Sequence, residues 1–328
     1  MTAVIKHIRT PTLEIAYEES GDSAGAPVIL LHGWPYDPRC YDGVAPLLIA
    51  GGCRVIAPYL RGFAATRFLS AETLRSGQQA ALGNDLHEMI DALAIERATL
   101  AGYDCGRRAA CVVAALWPER VRSLLTVNAY NIQDIAGSAR PQDPAQERRY
   151  WYQWYFQTER GRAGLASDRR AFCRQLWKLW SPHWNFDEAT FARSAASFDN
   201  PDFVAVTIHS YRHRYGNAAV DELERRLAAK PKIAVPTIAL QGDADGVLPP
   251  EVSERHRPSF TGPYQYRVRQ QSGTTRRKRR LQSLLKPTRT GQFRLSPPQM
   301  QQMFIHHSDA CGNERGRLEP AFRLAPLR

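Results

Sequence analysis

The stretch "LAGYDCGRRAACVVAALWPERV", residues 100–121, decides how this chain is read. It opens as an apolar strand, turns sharply through Gly102-Tyr103-Asp104-Cys105-Gly106, and continues as a helix. Glycines two residues either side of a reactive residue have the spacing of a nucleophile elbow, whose usual occupant is serine. Here the occupant is Asp104. A carboxylate at a helix N-terminus is favoured by the dipole and by the free N–H groups of the first turn. Capping alone would account for an aspartate there. The paired glycines favour a nucleophile, as do small Ala109 and Ala110, which allow close helix–strand contact. Aspartate can attack an sp³ carbon and form an ester. Water must then hydrolyse that ester, which requires a general base.

Working outward, strand-like and helix-like stretches alternate. "PVILLHGWP" (27–35) and "CRVIAPYLRG" (53–62) are short apolar runs of the kind that fill a parallel sheet buried on both faces. "LGNDLHEMIDALAI" (82–95) has helical spacing. "VRSLLTVNAY" (121–130) and "VPTIALQGD" (235–243) are further strands. The alternation predicts an α/β fold with a mostly parallel sheet and helices on both faces. Between Asn131 and about Arg226 aromatics crowd into helical patterns and the strand series stops. This predicts an inserted helical cap, residues 131–226, over the carboxyl ends of the strands, where α/β ligands bind. The core is then 1–130 and 227–266.

Two more motifs carry chemistry. The loop of "LLHGWP" (30–35) can present backbone N–H groups beside the elbow as an oxyanion hole, with the N–H groups of Trp34 and Cys105 as the expected pair. "QGDADGVLPP" (241–250) offers Asp243 and Asp245. The spacing from Gly242 to Pro249 favours Asp245 as the carboxylate that orients a histidine. An Asp- and Gly-rich turn would look the same without the other motifs.

The chain has 328 residues, 43% of them hydrophobic, enough for one large α/β domain with an insertion. Six scattered cysteines form no C-x-x-C pair, which argues against zinc or a disulfide framework and fits a reducing, cytoplasmic setting. No cofactor motif, signal peptide or membrane-length apolar run is present. The net charge of +12 is uneven. Residues 267–328 hold 14 Lys and Arg against 3 Asp and Glu, whereas the other 266 residues hold 30 against 29. The body is nearly neutral, and the basicity belongs to an atypical tail, 267–328.

These motifs together resemble the α/β-hydrolase superfamily, specifically its epoxide hydrolase branch, from about residue 10 to about residue 266. "HGWP" is similar to the branch's HGxP oxyanion motif and "GYDCGRR" to its G-x-D-x-G elbow. "YQWYFQTERG" (152–161) and "SYRHRYG" (210–216) are similar to the two cap segments that carry ring-opening tyrosines, which places those roles on Tyr152 and Tyr211. Two phenols converging on the epoxide oxygen could bind it and protonate the alkoxide that ring opening leaves. Tyr155 and Tyr215 are near alternatives. The implied substrate is a small apolar molecule with an epoxide or halide group, with water as co-substrate. A haloalkane dehalogenase shares the ester chemistry but is expected to have a tryptophan directly after the nucleophile, where this chain has Cys105. A haloacetate dehalogenase, which grips carboxylate through arginine, is kept open by Arg107 and Arg108.

The histidine is missing from its expected place. The branch has Gly-His after the last core strand, and here Thr274 follows Gly273. Threonine is no general base near neutral pH. His256 lies only 11 residues past Asp245, and His306 and His307 follow no strand. A frame change shortly before residue 270 would account for the gap. Shifted codons for "QSGTTRRKRRLQS" permit Ala-Val-Gly-His-Asn-Pro-Pro-Gln-Glu-Ala-Pro-Ala-Glu, with histidine at position 274. A reading of another class is an inactive hydrolase-fold protein that binds anionic partners through "TTRRKRR". A charge run is more often simply solvated, which disfavours nucleic acid as the partner.

Overall fold

The computed structural model describes residues 4–218, 222–243, 245–248 and 250–269. Thr274, His306 and His307 lie outside them, as does the altered reading frame expected around residue 270. The chain begins with an antiparallel hairpin, β1 (Val4–Arg9) and β2 (Leu13–Ser20). Then come β3 (Ala26–Leu31), α1 (Ala45–Ala50), β4 (Cys53–Pro58) and the two-residue β5 (Arg67–Phe68). Next are α2 (Gln79–Ala92), β6 (Ala98–Gly102), α3 (Asp104–Leu116) and β7 (Val121–Val127). The strands order as β1-β2-β4-β3-β6-β7-β8-β9, where β8 is Thr237–Gly242 and β9 Tyr264–Arg269. From β4 to β9 every pairing is parallel.

The central strands form where expected because both their faces are covered. All five residues of β6 are buried, as are the last four of β3. Parallel strands under helices on both faces read as unbroken apolar runs for this reason. α3 ends at Trp117 because Pro118 follows, and the residue before a proline is pushed out of the helical region. The expected core–tail boundary at 266/267 falls inside β9, which continues in register with β8 to Arg269.

Between β7 and β8 the described residues form only helices. These are α4 (Pro144–Arg149), α5 (Trp151–Tyr155), α6 (Glu159–Ser167), α7 (Arg169–Trp180), α8 (Glu188–Ala195), α9 (Phe203–Arg214) and α10 (Glu222–Ala228). Four of them start on a side-chain cap: Asp143, Thr158, Asp168 and Asp187 accept from N–H groups of the first turn. This layer seats on the loops at the carboxyl ends of the strands. Trp177 Nε1 donates to Pro35 O at 2.9 Å, and Trp34 packs among Tyr152, Phe156, Trp180, Phe203 and Tyr211. α11 (Pro250–Glu254) lies between β8 and β9. Among the described residues no helix is long and apolar enough to cross a membrane, and the described cysteines are all unpaired.

Candidate active site

Asp104 stands at the tip of the turn from β6 to α3 with φ +45°, a left-handed backbone that a non-glycine residue holds at a cost of roughly 1–2 kcal/mol. Such strain persists only where the surroundings enforce it. Two glycines do so by allowing close approach. A Cβ on Gly106 would lie 2.1 Å from Leu31 O, so α3 can press against β3 only with glycine there. A Cβ on Gly33 would lie 2.8 Å from Asp104 Cβ.

The Asp104 carboxylate is about one-third exposed, and its two oxygens differ. Oδ2 accepts from the Trp34 N–H at 2.9 Å. Oδ1 has the Arg108 guanidinium at 3.6 Å, one helical turn along α3. The Cys105 N–H is the second in α3, one of the first four that a helix leaves without an intrahelical partner. Burial and the Asp104 carboxylate push the Cys105 thiol up to about 12, which keeps it protonated.

Asp245 is held differently. It is 7% exposed. Oδ1 accepts from the Val247 and Leu248 N–H groups at 2.7 and 3.1 Å, and Oδ2 from Asn128 Nδ2 at 2.9 Å. Burial pushes its pKa up, and these donors oppose the rise. Asn128 was not singled out from the sequence. Its signal is slight: an asparagine closing an apolar strand, a residue type that tolerates the φ of +68° it adopts after β7. Asp104 and Asp245 line one narrow cavity of about 60 Å³ with Trp34, Tyr36, Asn128 and Tyr152. No histidine among the described residues lines it.

A wider basin of about 500 Å³ opens outward from Asp104. Tyr152 from α5 and Tyr211 from α9 both line it, with ring centroids 5.4 Å apart at 86°. Tyr152 Oη accepts from Gln153 Nε2 at 2.9 Å, so its proton is free to be donated. Burial raises the pKa of both phenols, and the Asp104 carboxylate adds to the rise; they are neutral donors near pH 7. The alternatives fare differently. Tyr215 also lines the basin but donates to Gln153 Oε1 at 2.9 Å. Tyr155 lines neither cavity and directs its hydroxyl at Gly164.

Among the described residues, neither His32 nor His256 lines the narrow cavity. His32 is fully buried, with Nδ1 on Gly33 O and Nε2 accepting from the Leu60 N–H, and burial lowers it to about 4. Both nitrogens are therefore occupied in holding the loop. His256 lines the outer basin, lowered to about 4 by burial and by Arg107.

With this geometry in place, the known proteins can be compared. The alpha/beta hydrolase fold family matches residues 26–273, and the chain belongs to that family. It is epoxide hydrolase-like. The crystal structure of a candidate epoxide hydrolase from Klebsiella pneumoniae superposes with a TM-score of 0.79 at 47% identity, covering 80% of this chain and 88% of that one. Among curated proteins, a haloalkane dehalogenase from Mycobacterium marinum is 32% identical over 125 residues, 37% of this chain and 40% of that protein. Epoxide hydrolase B from Mycobacterium tuberculosis is 27% identical over 169 residues, 48% of this chain and 47% of that protein. The chain thus spans less than half the length of these two curated relatives.

Proposed function

We propose that this chain opens epoxides by attack of Asp104, forming an alkyl-enzyme ester. The observation that carries the reading is the Asp104 carboxylate itself. It is pinned at one oxygen by the Trp34 N–H, and it faces a basin that Tyr152 and Tyr211 also line. Oδ1 forms a bond to an epoxide carbon, the C–O bond of the ring breaks, and the electron pair stays on the ring oxygen. Tyr152 and Tyr211 donate to that oxygen and supply its proton. Oδ2 becomes the ester carbonyl oxygen. When water attacks the ester carbon, Oδ2 takes the negative charge, stabilised by the Trp34 and Cys105 N–H groups. The helices α4 to α9 act as the cap, and the aromatic wall around Trp34 takes the apolar substrate body.

The second half-reaction needs a base that Asp245 would orient, and Asp245 cannot replace it. No imidazole from the described residues reaches the cavity between the two carboxylates, and the family match ends at residue 273, one residue before Thr274. The chain should therefore alkylate and then turn over slowly or not at all. Incubation with a reactive epoxide should leave a persistent mass increase on the peptide containing Asp104. Sustained turnover without such an adduct would overturn this reading, and His256, His306 and His307 would then be the first residues to replace. A second reading, dehalogenation of a haloacetate through the same ester, is favoured by one feature: the Arg108 guanidinium beside Oδ1 could take the substrate carboxylate. Release of halide with the adduct, and none with epoxides, would select it.

A further inference from the structure

The end of α9 carries three basic residues in a row, and they are treated unequally. Arg212 pairs with Glu159. His213 meets the buried carboxylate of Glu224 at 3.2 Å. Arg214 has no carboxylate and no hydrogen-bond acceptor among the described residues. It lies over the Tyr150 ring at 5.4 Å and lines the same basin as Asp104, Tyr152 and Tyr211. A partly buried cation with no carboxylate beside it among the described residues carries a desolvation cost that no ion pair offsets. The α9 C-terminal dipole offsets a part of it.

The basin as a whole is positive. Arg107, Arg108, Arg140, Arg214 and Lys230 line it, against three carboxylates, Asp104, Asp134 and Glu147. Two of those carboxylates are already engaged. Asp134 takes Lys230 and the Gly137 N–H, and Glu147 takes the Trp154 indole and the Gln142 N–H. Asp104 is the proposed nucleophile. Among the described residues, no carboxylate on the basin wall is left to neutralise Arg214.

We propose that Arg214 is a substrate-binding residue, and that the substrate carries a carboxylate which docks on it while the epoxide lies between Asp104 and the two tyrosines. This deepens the proposed function and rests on it. A guanidinium suits the task because its planar fork matches a carboxylate and stays charged at any physiological pH. The Tyr150 ring covers one side of it, and it also lines the basin. The small cavity beside Asp104 selects the reacting group, and Arg214 selects the far end of the molecule.

The test uses the full chain and two aryl glycidyl ethers that differ only in a ring substituent, a carboxylate in one and a carboxamide in the other. Asp104 alkylation is followed by intact mass at low ether concentration. The carboxylate ether should react faster by about tenfold, and added salt should shrink the gap. Arg214→Gln should slow the carboxylate ether far more than the carboxamide ether and so abolish the preference, whereas Arg214→Lys should retain much of it. Equal rates for the two ethers in the unmodified chain would overturn the inference while leaving the proposed nucleophile intact. An equal drop for both ethers in Arg214→Gln would also overturn it and would make Arg214 a positioning residue. If neither ether adds to Asp104, the proposed function fails, and the inference fails with it.

Discussion

Asp104 and Asp245 are the same side chain on loops after two parallel strands, yet the fold gives them opposite surroundings. Asp104 ends up on a left-handed backbone, one-third exposed, with one N–H on one oxygen. Asp245 is buried under three N–H donors shared between both oxygens. A carboxylate with donors on both oxygens is a poor attacker and a good anchor. One whose second oxygen faces a basin can form a bond there. Donor count and exposure, more than residue type, separate the two proposed roles, as environment separates paired carboxylates in other hydrolases.

The sharpest way to break this comparison is to remove the charge from each carboxylate in turn. Asp104→Asn should abolish alkylation outright, because an amide oxygen is a poor nucleophile. It should leave the fold intact, since asparagine is among the few residues that accept a left-handed φ. An adduct forming at the wild-type rate in that variant would remove Asp104 from the chemistry. The next largest effect lies across the basin. Tyr152→Phe and Tyr211→Phe should each slow ring opening by about 2.7–4 kcal/mol, the usual cost of losing one preorganised donor to a developing oxyanion. Together they should bring it close to nothing. Single-turnover rates unchanged in both variants would move the donors elsewhere.

Asp245→Ala should behave in the reverse sense. It strands the buried Asn128 amide and the partly buried Val247 and Leu248 N–H groups, and leaving a buried donor without a partner costs about 1–3 kcal/mol. Urea unfolding should show a loss of roughly 3 kcal/mol, while the rate at which Asp104 is alkylated stays close to that of the unmodified chain. A large drop in alkylation at unchanged stability would mean that Asp245 acts in the first half-reaction.

How much of this was readable beforehand follows from what each residue depends on. Asp104, Trp34 and Asp245 sit in loops punctuated by glycine and proline after strands buried on both faces, so periodicity and spacing locate them. β1 and β2 were not singled out. β1 is almost wholly exposed and β2 carries charges along its length, so neither shows the unbroken apolar run that marks β3 or β6. Asn128 and Arg214 are illegible for another reason. One matters because the loop after β8 comes to rest against it, the other because no carboxylate among the described residues does. Both facts belong to the assembled fold and leave no spacing in the chain. Tyr152 and Tyr211 fall between these cases. Resemblance picked them from several aromatics, and burial and free hydroxyl capacity distinguish them from Tyr155 and Tyr215.

A third carboxylate extends the comparison and gives its smallest test. Asp37, in the loop after β3, is buried, and its oxygens take the hydroxyls of Ser194 and Ser197, each at 2.7 Å, along with the Arg39 N–H at 3.1 Å. It ties the core loop to α8 and the turn that follows. Burial raises it from 3.8 to about 6 against these hydrogen bonds. In the unfolded chain it ionises near its ordinary value, so between about pH 4 and pH 6 the folded state holds a proton that the unfolded state has lost. The contribution to stability is therefore fully present below about pH 4 and is lost as pH rises through about 6. The shift of about two units bounds that loss at roughly 3 kcal/mol. Asp37→Asn removes the titration, and a serine hydroxyl can reverse to accept from the new amide. Relative to the unmodified chain, the variant should therefore gain about 1–3 kcal/mol in urea stability between pH 4 and pH 7. A stability difference that is the same at both pH values would show that Asp37 carries no such charge cost, and that hydroxyl donors can hold a buried carboxylate as well as the N–H groups hold Asp245.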